Sequence, residues 1–491
     1  MDTQLLPVVP RIAATLDEDE LRHVQAVAQK MAAEDPALAA PSVFGERVRS
    51  GMSGDLWLVI GDTREIGLST PEKALTYEYR LSLLARRDDL VVFSREPHPD
   101  FEHYRSHYLG TGPVIGLDLS SGAGNPLLPL AARCRLDDEV FSRIVEATRR
   151  KGGLTVVPHI GMGSTWQLAA AVAETAKLHV DVASSSPRLT RRVNDKLWFA
   201  RLIGEVLGEN ALPPTLAAYG PAALAHRIRA LARSAARVVV KVPYSAGGAG
   251  NVSVAATEVA GAALSVVKEY ILAALHALGW YDVYPLLVGL WEAPALSSPS
   301  VQLWIPAIGA GPPVIEGLFE QILEGAEGTF VGSVPAKFPE RWRNQLANQA
   351  MRLATVLQLL GYFGRCSLDA LLVGQSFDSA ALHWIECNGR WGGVSIPMTI
   401  MNRLSRDPAR AKLVVAQRFC ESQPPRRFAD AVRALDDLLF KPGRQEQGII
   451  LLSPVEIEAG RGAQMLACAQ TVTAARELAE RAIRILSGPS S

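Results

Sequence analysis

Two short strand-like segments in the last third of the chain constrain its fold most. The first reads SLDALLVG from Ser367, the second reads LHWIECNGR up to Arg390, and residues 374–381 form a polar connection. An antiparallel pairing across this connection brings together residues whose numbers sum to about 755. Asp369 then lies opposite Glu386. Like charges placed directly opposite destabilise a hairpin, so this pair requires a partner that stabilises it.

The side chains that share a strand face with Glu386 indicate what that partner is. Strand alternation places Asn388 on the same face and His383 on the opposite one. Two carboxylates and an amide oxygen form a hard-oxygen site suited to Mg²⁺ that keeps positions open for phosphate. Arg390 could reach an anion bound to that metal. Taken alone, the segment is also compatible with an exposed hairpin carrying scattered charges.

A second informative segment is RVVVKVPYSAGGAGN, residues 237–251. A β-branched strand carries Lys241 into a loop with Gly247, Gly248 and Gly250. Glycines let backbone N–H groups approach phosphate oxygens, and the lysine adds a positive charge. The pattern GxxxxGK[ST] is missing, so this is not a P-loop. In isolation a glycine-rich hairpin turn is the ordinary interpretation.

Composition excludes several classes of function. At 491 residues the chain is too long for one core and should form two to four domains. Lys+Arg and Asp+Glu are 50 each, so no net charge favours nucleic acid or a membrane surface. The five cysteines lack metal-ligand spacing. The N-terminal sequence does not resemble a signal peptide, and charges interrupt the apolar runs, which predicts a cytoplasmic protein without membrane association.

The order of elements predicts four regions. Residues 1–50 form an N-terminal helical extension. Residues 51–185 alternate strands (near 56–60, 90–94, 114–119 and 154–158) with helices, which predicts an α/β domain with a parallel sheet. Residues 186–405 contain a helix capped by Asn194 and ended by Gly208, followed by both segments described above. Residues 406–491 form a small C-terminal domain.

The order of these parts resembles the ATP-grasp superfamily. The motifs that carry the resemblance are NDK (194–196), VVVKVPYSAGGAGN, PLLVGLWE (285–292), GYFGRCSLDALLV and WIECNGRWGG, over residues 186–405. SAGGAGN, SPSVQLWIP, EGLFEQIL and ECNGRWGG are most similar to the pheganomycin-type peptide ligases. That resemblance implies an α/β and α+β fold: a pre-ATP-grasp α/β domain, a two-lobed ATP-grasp fold and a small C-terminal domain.

The resemblance also implies roles for individual residues. ATP would lie between two antiparallel lobes beneath the loop 245–251, with Lys196 and Lys241 on its α- and β-phosphates. Asp369, Glu386 and Asn388 would hold one or two Mg²⁺ ions, and Arg390 would act with Lys241 in catalysis. The remaining nucleotide-binding residues would be Ser245, Gly247, Gly248, Gly250, Asn251, Leu290, Trp291 and Glu292.

The implied reaction is ATP-dependent formation of an amide bond between a carboxylate donor and an amine acceptor. It passes through an acyl phosphate and releases ADP and phosphate. The substrates would be amino acids, peptides or related small molecules of a biosynthetic pathway, and a homodimer would be unsurprising. Two alternatives stay open: transfer of the acyl group to a non-amine nucleophile, and a non-catalytic ATP-binding protein.

Overall fold

A computed structural model of the chain describes residues 8–38, 43–120, 125–245, 249–325, 328–405, 407, 412–418 and 426–487. The first helix is α1 (Glu18–Glu34). Asp17 and Glu20 form a capping box at its N-terminus, which satisfies two backbone N–H groups. Its apolar face, which includes Val24, Val27 and Met31, enters a core shared with later helices and strands.

The first sheet is parallel and six-stranded, as the alternating pattern predicts. Its strand order is β1-β6-β5-β2-β3-β4. The strands are β1 (Val48–Ser50), β2 (Trp57–Ile60), β3 (Leu90–Phe93), β4 (Ile115–Asp118), β5 (Leu154–Pro158) and β6 (Val180–Val182). One strand, β1, comes from the predicted N-terminal extension and pairs with β6.

Helices connect these strands and cover the sheet. They are α2 (Pro71–Ser82), α3 (Pro99–His103), α4 (Leu130–Leu136), α5 (Asp138–Lys151) and α6 (Gly163–Ala176), with a π-helical turn at Tyr104–Tyr108. The strands β2, β3, β5 and β6 are buried, and the Val, Leu and Ile side chains of the sheet form a core with the apolar faces of α4, α5 and α6.

Two helices lead to the second sheet, α7 (Pro187–Val193) and α8 (Lys196–Leu207). The N-cap of α8 is Asp195, whose side chain accepts from Leu197 N and Trp198 N, and not Asn194 as the sequence predicts. Asn194 instead ends α7, because its side-chain amide donates to the Thr190 carbonyl. Gly208 ends α8 with a positive φ, as predicted.

The second sheet is antiparallel, with strand order β7-β10-β8-β9. Its strands are β7 (Thr215–Ala218), β8 (Arg237–Lys241), β9 (Asn251–Ala255) and β10 (Leu286–Leu290). The helices α9 (Pro221–Leu231), α10 (Ala256–Val259) and α11 (Leu264–Ala277) pack on this sheet and bury its apolar residues. The predicted glycine-rich segment follows β8 and precedes β9, and these two strands pair with Lys241 opposite Asn251.

The third sheet has nine strands, in the order β11-β15-β12-β13-β14-β17-β19-β18, with β16 paired to β15. They are β11 (Ala295–Ser297), β12 (Pro299–Ile305), β13 (Val314–Glu324), β14 (Thr329–Pro335), β15 (Gly364–Val373), β16 (Ala381–Asn388), β17 (Lys412–Arg418), β18 (Gly448–Leu451) and β19 (Ala463–Ala469). The sheet therefore continues into the predicted C-terminal region. The accompanying helices are α12 (Glu340–Leu359), α13 (Ser395–Leu404), α14 (Phe428–Ala434), α15 (Val455–Glu458) and α16 (Val472–Ser487). Short 3₁₀ turns occur at Pro36–Leu38, Glu209–Ala211 and Asp436–Leu438.

The β15–β16 hairpin has the predicted register at its functional end. Asp369 pairs with Glu386, and Ser367 pairs with Asn388. A bulge then shifts the register by one residue, so that Ala370 pairs with Trp384. Because of this shift His383 contacts Glu292, a residue of the same cavity as Glu386. The prediction that His383 points to the opposite face is therefore wrong.

Candidate active site

A cavity of about 660 Å³ lies where the three sheets meet. The first sheet contributes residues that follow β2 and β5 and one face of α2. The second sheet contributes Lys241, Asn251 and Leu290, and the third contributes the strand ends around Asp369 and Glu386. Most of the residues predicted from sequence to bind nucleotide or metal line this one cavity: Lys196, Lys241, Asn251, Leu290, Trp291, Glu292, Asp369, Glu386, Asn388 and Arg390.

The pKa values of the two facing carboxylates of the hairpin shift in opposite directions. Burial, together with the neighbouring Glu386 charge, raises the pKa of Asp369 to about 7. Burial alone would also raise the pKa of Glu386, but the Lys196 ammonium lowers it to about 2. Lys196 Nζ lies 2.9 Å from Glu386 Oε2. Ser300 Oγ donates to Asp369 Oδ1 at 2.6 Å.

Asn388 links these carboxylates to Arg390. Its Nδ2 donates to Asp369 Oδ2 at 2.8 Å and to Glu386 Oε1 at 3.2 Å. Its Oδ1 accepts from Arg390, whose guanidinium also donates to Asn194 Oδ1. The sequence predicts that the amide oxygen of Asn388 joins the carboxylates, whereas here the amide nitrogen does. Two adjacent carboxylate acceptors attract the donor end of the amide.

Lys196 connects the hairpin carboxylate to the glycine-containing loop. Its ammonium donates to the Ser245 carbonyl at 2.9 Å and approaches Ser245 Oγ at 3.5 Å, in addition to Glu386. The Lys196 backbone N–H donates to the Pro243 carbonyl. Helix α8 is thus attached to the loop by both its first backbone N–H and its first side chain.

Lys241 is the second predicted phosphate ligand. Burial and the nearby Lys196 lower its pKa. Across the described part of the chain, no hydrogen bond or ion pair engages its ammonium, which leaves it available to an anion. In the same hairpin, a Cβ added at Gly250 would collide with Ser245 Oγ, so the close turn requires glycine there. The predicted Gly247 and Gly248 lie outside the described residues.

The segment 290–292, predicted to bind the nucleotide, lies at another wall of the cavity. The backbone N–H groups of Leu290 and Trp291 donate to the carbonyls of Pro214 and Arg237, so these two donors are already used. The Arg237 guanidinium lies 4.9 Å from the centre of the Trp291 ring. Glu292 Oε1 lies 2.6 Å from His383 Nδ1, while its Oε2 is buried and has no hydrogen-bond partner among the described residues.

The donor set of the hairpin fits a divalent cation. Among the described residues, no group of three or more His, Cys, Asp or Glu side chains is placed to hold a metal ion, so two carboxylates are the charged ligands that this site offers. The raised pKa of Asp369 results from burial beside a second carboxylate, and a cation between them would remove that repulsion. Mg²⁺ suits such a set because it keeps water and phosphate ligands beside one or two carboxylates.

Sequence reasoning missed several residues of this cavity. Ser300 and Gln302 form a chain of hydrogen bonds to Asp369, and Gln321 bonds the same carboxylate. Ser300 sits on β12 directly opposite Asp369, a pairing that no local motif signals. Further lining residues come from regions far away in sequence: Lys73, Thr76, Tyr77, His159, Glu456, Arg461 and Gln464.

Within the first sheet region, the chain matches a known sequence family. The sequence model described as the pre-ATP-grasp domain matches residues 78–173. No curated protein matches the chain. No helix in the described ranges is both long and apolar enough to span a membrane.

Solved structures similar to the chain cover most of it. Biotin carboxylase from Campylobacter jejuni, in complex with an ATP analogue, has a TM-score of 0.53 at 12% identity, covering 87% of this chain and 90% of that one. The biotin carboxylase domain of 2-oxoglutarate carboxylase from Hydrogenobacter thermophilus was solved with MgADP, ADP and bicarbonate. It has a TM-score of 0.53 at 12% identity, covering 88% of this chain and 90% of that one.

A third similar structure is N5-carboxyaminoimidazole synthase from Aspergillus clavatus, in complex with ADP and 5-aminoimidazole ribonucleotide. It has a TM-score of 0.50 at 14% identity, covering 91% of this chain and 100% of that one. At such identities the likeness concerns the fold. The chain has a mixed α/β architecture in which a pre-ATP-grasp domain accompanies an ATP-grasp fold.

Proposed function

We propose that this protein is an ATP-dependent carboxylate–amine ligase that joins amino acids or peptides through an amide bond. The observation that carries the proposal is the convergence of two lysines, Lys196 and Lys241, with the Asp369–Glu386 pair and Arg390 around one cavity. Positive groups for phosphates and a carboxylate pair for a cation are the two requirements of phosphoryl transfer from ATP.

The proposed chemistry proceeds in two steps, phosphorylation of the donor carboxylate and attack by the acceptor amine. A carboxylate oxygen of the donor attacks the γ-phosphorus of ATP, the bond from that phosphorus to the β–γ bridging oxygen breaks, and ADP leaves. The amine nitrogen of the acceptor then attacks the acyl carbon, the bond from that carbon to the phosphate oxygen breaks, and phosphate leaves. The amine loses its protons to solvent or phosphate during this second step.

The residues of the cavity would bind and orient the reactants. Lys241 and Lys196 would contact the α- and β-phosphates. Asp369 and Glu386 would hold Mg²⁺ together with Asn388, whose amide would turn to present its oxygen in place of the nitrogen that faces the carboxylates here. Bound there, Mg²⁺ would supply neutralisation of charge on the β- and γ-phosphates. Arg390, held by Asn194 and Asn388, would stabilise the transferring phosphoryl group and then the tetrahedral oxyanion.

The similar enzymes act on other substrates, so the peptide-ligase assignment depends on the motifs. SAGGAGN and ECNGRWGG resemble the pheganomycin-type ligases, which place a pre-ATP-grasp domain before the core and a small domain after it. We propose the same division here, with residues 51–185 before the core at 186–405 and residues 406–491 after it. Residues 1–50 would be an N-terminal extension whose helix α1 packs on α8 and α12 of that core.

ADP and phosphate release tests the proposal most directly. The protein with ATP and Mg²⁺ is incubated with a panel of amino acids and short peptides, and products are weighed by mass spectrometry. We expect release that requires a carboxylate–amine pair and a product equal in mass to their condensation. ADP release that continues without any amine, with a thiol or hydroxyl adduct, would favour a different nucleophile. ATP binding without turnover on any pair would favour a non-catalytic role.

A further inference from the structure

The cavity extends beyond the proposed phosphate site towards α2 and the C-terminal region. Lys73, Thr76 and Tyr77 line it from one face of α2, since residues three and four apart share a helix face. His159 follows β5, and Glu456 lies in α15. The roles proposed above in binding phosphate and metal do not use these side chains.

Lys73 provides an unpaired positive charge at this end of the cavity. Burial lowers its pKa, and Arg390 and Arg80 act in the same direction. Within the described ranges, no ion pair or hydrogen bond involves its ammonium. A half-buried ammonium without a counter-ion is the feature that a substrate carboxylate would complete.

Glu456 provides a carboxylate of which one oxygen has no partner among the described residues. The side chain is buried, and its Oε1 accepts from Thr76 Oγ1 at 2.7 Å and from Gln464 Nε2 at 2.9 Å. Its Oε2 has no partner among the described residues. The side-chain oxygen of Gln464 in turn accepts from Arg80 Nη1 at 3.0 Å. Gln464 is thereby held in place and orients the Glu456 carboxylate through Oε1. A buried carboxylate oxygen left without a donor is costly unless a ligand supplies one.

His159 lies beside these groups and is only 2% exposed. Neither ring nitrogen has a hydrogen-bond partner within the described structure, and the ring lies 4.5 Å from that of Tyr77, centre to centre. Burial, followed by Arg390 and Arg80, lowers its pKa well below the ordinary value, so the imidazole is neutral. It adds one donor and one acceptor without adding charge.

We propose that this end of the cavity binds a zwitterionic substrate, an amino acid or a short peptide, with Lys73 on its carboxylate and Glu456 on its amino group. The proposal rests on the proposed ligase function and assigns residues to the binding of one of its substrates. The opposite charges favour a molecule that carries both groups over a simple carboxylic acid or a simple amine. The substrate that binds here is either the amine acceptor or the carboxylate donor, and the kinetics distinguish them.

The test uses Lys73→Met and Glu456→Gln in the full chain, with Lys151→Met, at an exposed helix end, as the matched control. With the best substrate pair from the panel, KM is measured separately for ATP, donor and acceptor. We expect both cavity variants to raise KM for the same substrate by about tenfold or more, with KM for ATP unchanged. The affected substrate shows whether the site serves donor or acceptor. Variants that raise KM for different substrates, or for none, would overturn a single zwitterion site.

A binding measurement keeps this inference separate from ligation. Thermal unfolding of wild type and Lys73→Met is followed with the panel amino acids and dipeptides and with their C-terminal amides, without ATP. We expect at least one free acid to stabilise the wild type more than its amide does, and this difference to disappear in Lys73→Met. Should no pair yield ADP, the ligase assignment fails, whereas this difference would still support the subsite. Equal stabilisation by acid and amide, or no stabilisation at all, would overturn it.

Discussion

Glu386 lies between a cation that keeps it charged and a carboxylate that opposes that charge. Lys196 lies 2.9 Å away, and Asp369 faces it across the hairpin. Glu386→Gln removes one metal carboxylate, so we expect turnover to fall by about 100- to 1,000-fold. Loss of the ion pair and relief of the repulsion oppose each other, so the free energy of unfolding should change by only about 1 kcal/mol. Single-turnover ADP formation and urea unfolding measure the two effects.

The control for this change is Glu324→Gln, at the exposed end of β13. It removes a carboxylate of the same type outside the cavity and should leave both quantities unchanged. Full activity in Glu386→Gln would show that the hairpin carboxylates do not hold the metal.

Lys241 differs from Lys196 in having no partner within the described chain, so its charge is available to a ligand. Lys241→Ala should weaken ATP binding by about 10- to 100-fold, because a charge-assisted contact to phosphate is lost. Isothermal titration with ATP measures the Kd, and Lys337→Ala, at an exposed position, is the control. An unchanged Kd would remove the glycine hairpin from the nucleotide site.

At the scale of elements, the sequence predicts those parts that are local in the chain. The register of the β15–β16 hairpin follows from two adjacent segments, and so does the position of Lys241 before its glycine turn. The bulge after Asp369 has no comparable signature, which is why His383 is misplaced. Ser300 is also missed, because it pairs with Asp369 on a strand distant in sequence. Lys73 is missed because α2, which packs on the first sheet, reaches the cavity only in the folded chain.

Helix α2 is held on the first sheet by a buried carboxylate on its other face. Glu78 accepts from the Ser94 backbone and hydroxyl and pairs with Arg64, yet burial raises its pKa from 4.5 to about 7. Between these values the folded protein binds the proton more tightly than the unfolded chain does. Stability should therefore fall as pH rises from about 4.5 to 7, by about 2–3 kcal/mol from this group.

Glu78→Gln tests that dependence. Urea unfolding at pH 5 and pH 8 should show the wild type losing stability relative to the variant at the higher pH, because glutamine has no proton to lose. Parallel pH profiles for the two proteins would mean that Glu78 titrates as it does in the unfolded chain.

At the scale of the whole molecule, α1 belongs to the hydrophobic core around α8 and α12 although it precedes the first sheet. It packs on α8 and α12, and Val24 is completely buried in the cluster that also contains Phe199 and Leu346. Arg11 N donates to the Ile315 carbonyl, which ties the preceding segment to β13. Because α8 begins with Lys196, α1 supports the helix that carries a proposed phosphate ligand.

Val24→Ala should therefore destabilise the entire protein by about 1–3 kcal/mol, since it opens a cavity in a shared core, and Val24→Asp should cost more because it buries an unpaired charge. The matched control is Val43→Asp, at a valine that is 89% exposed, where the change should stay within about 0.5 kcal/mol. Urea unfolding followed by both tryptophan fluorescence and circular dichroism measures the effect on the whole chain. If α1 were a separate extension, Val24→Ala would shift a minor early transition and leave the main one where it is. A shift of the main transition, with weaker ATP binding in Val24→Ala, would show that α1 stabilises the proposed nucleotide site through its packing on α8.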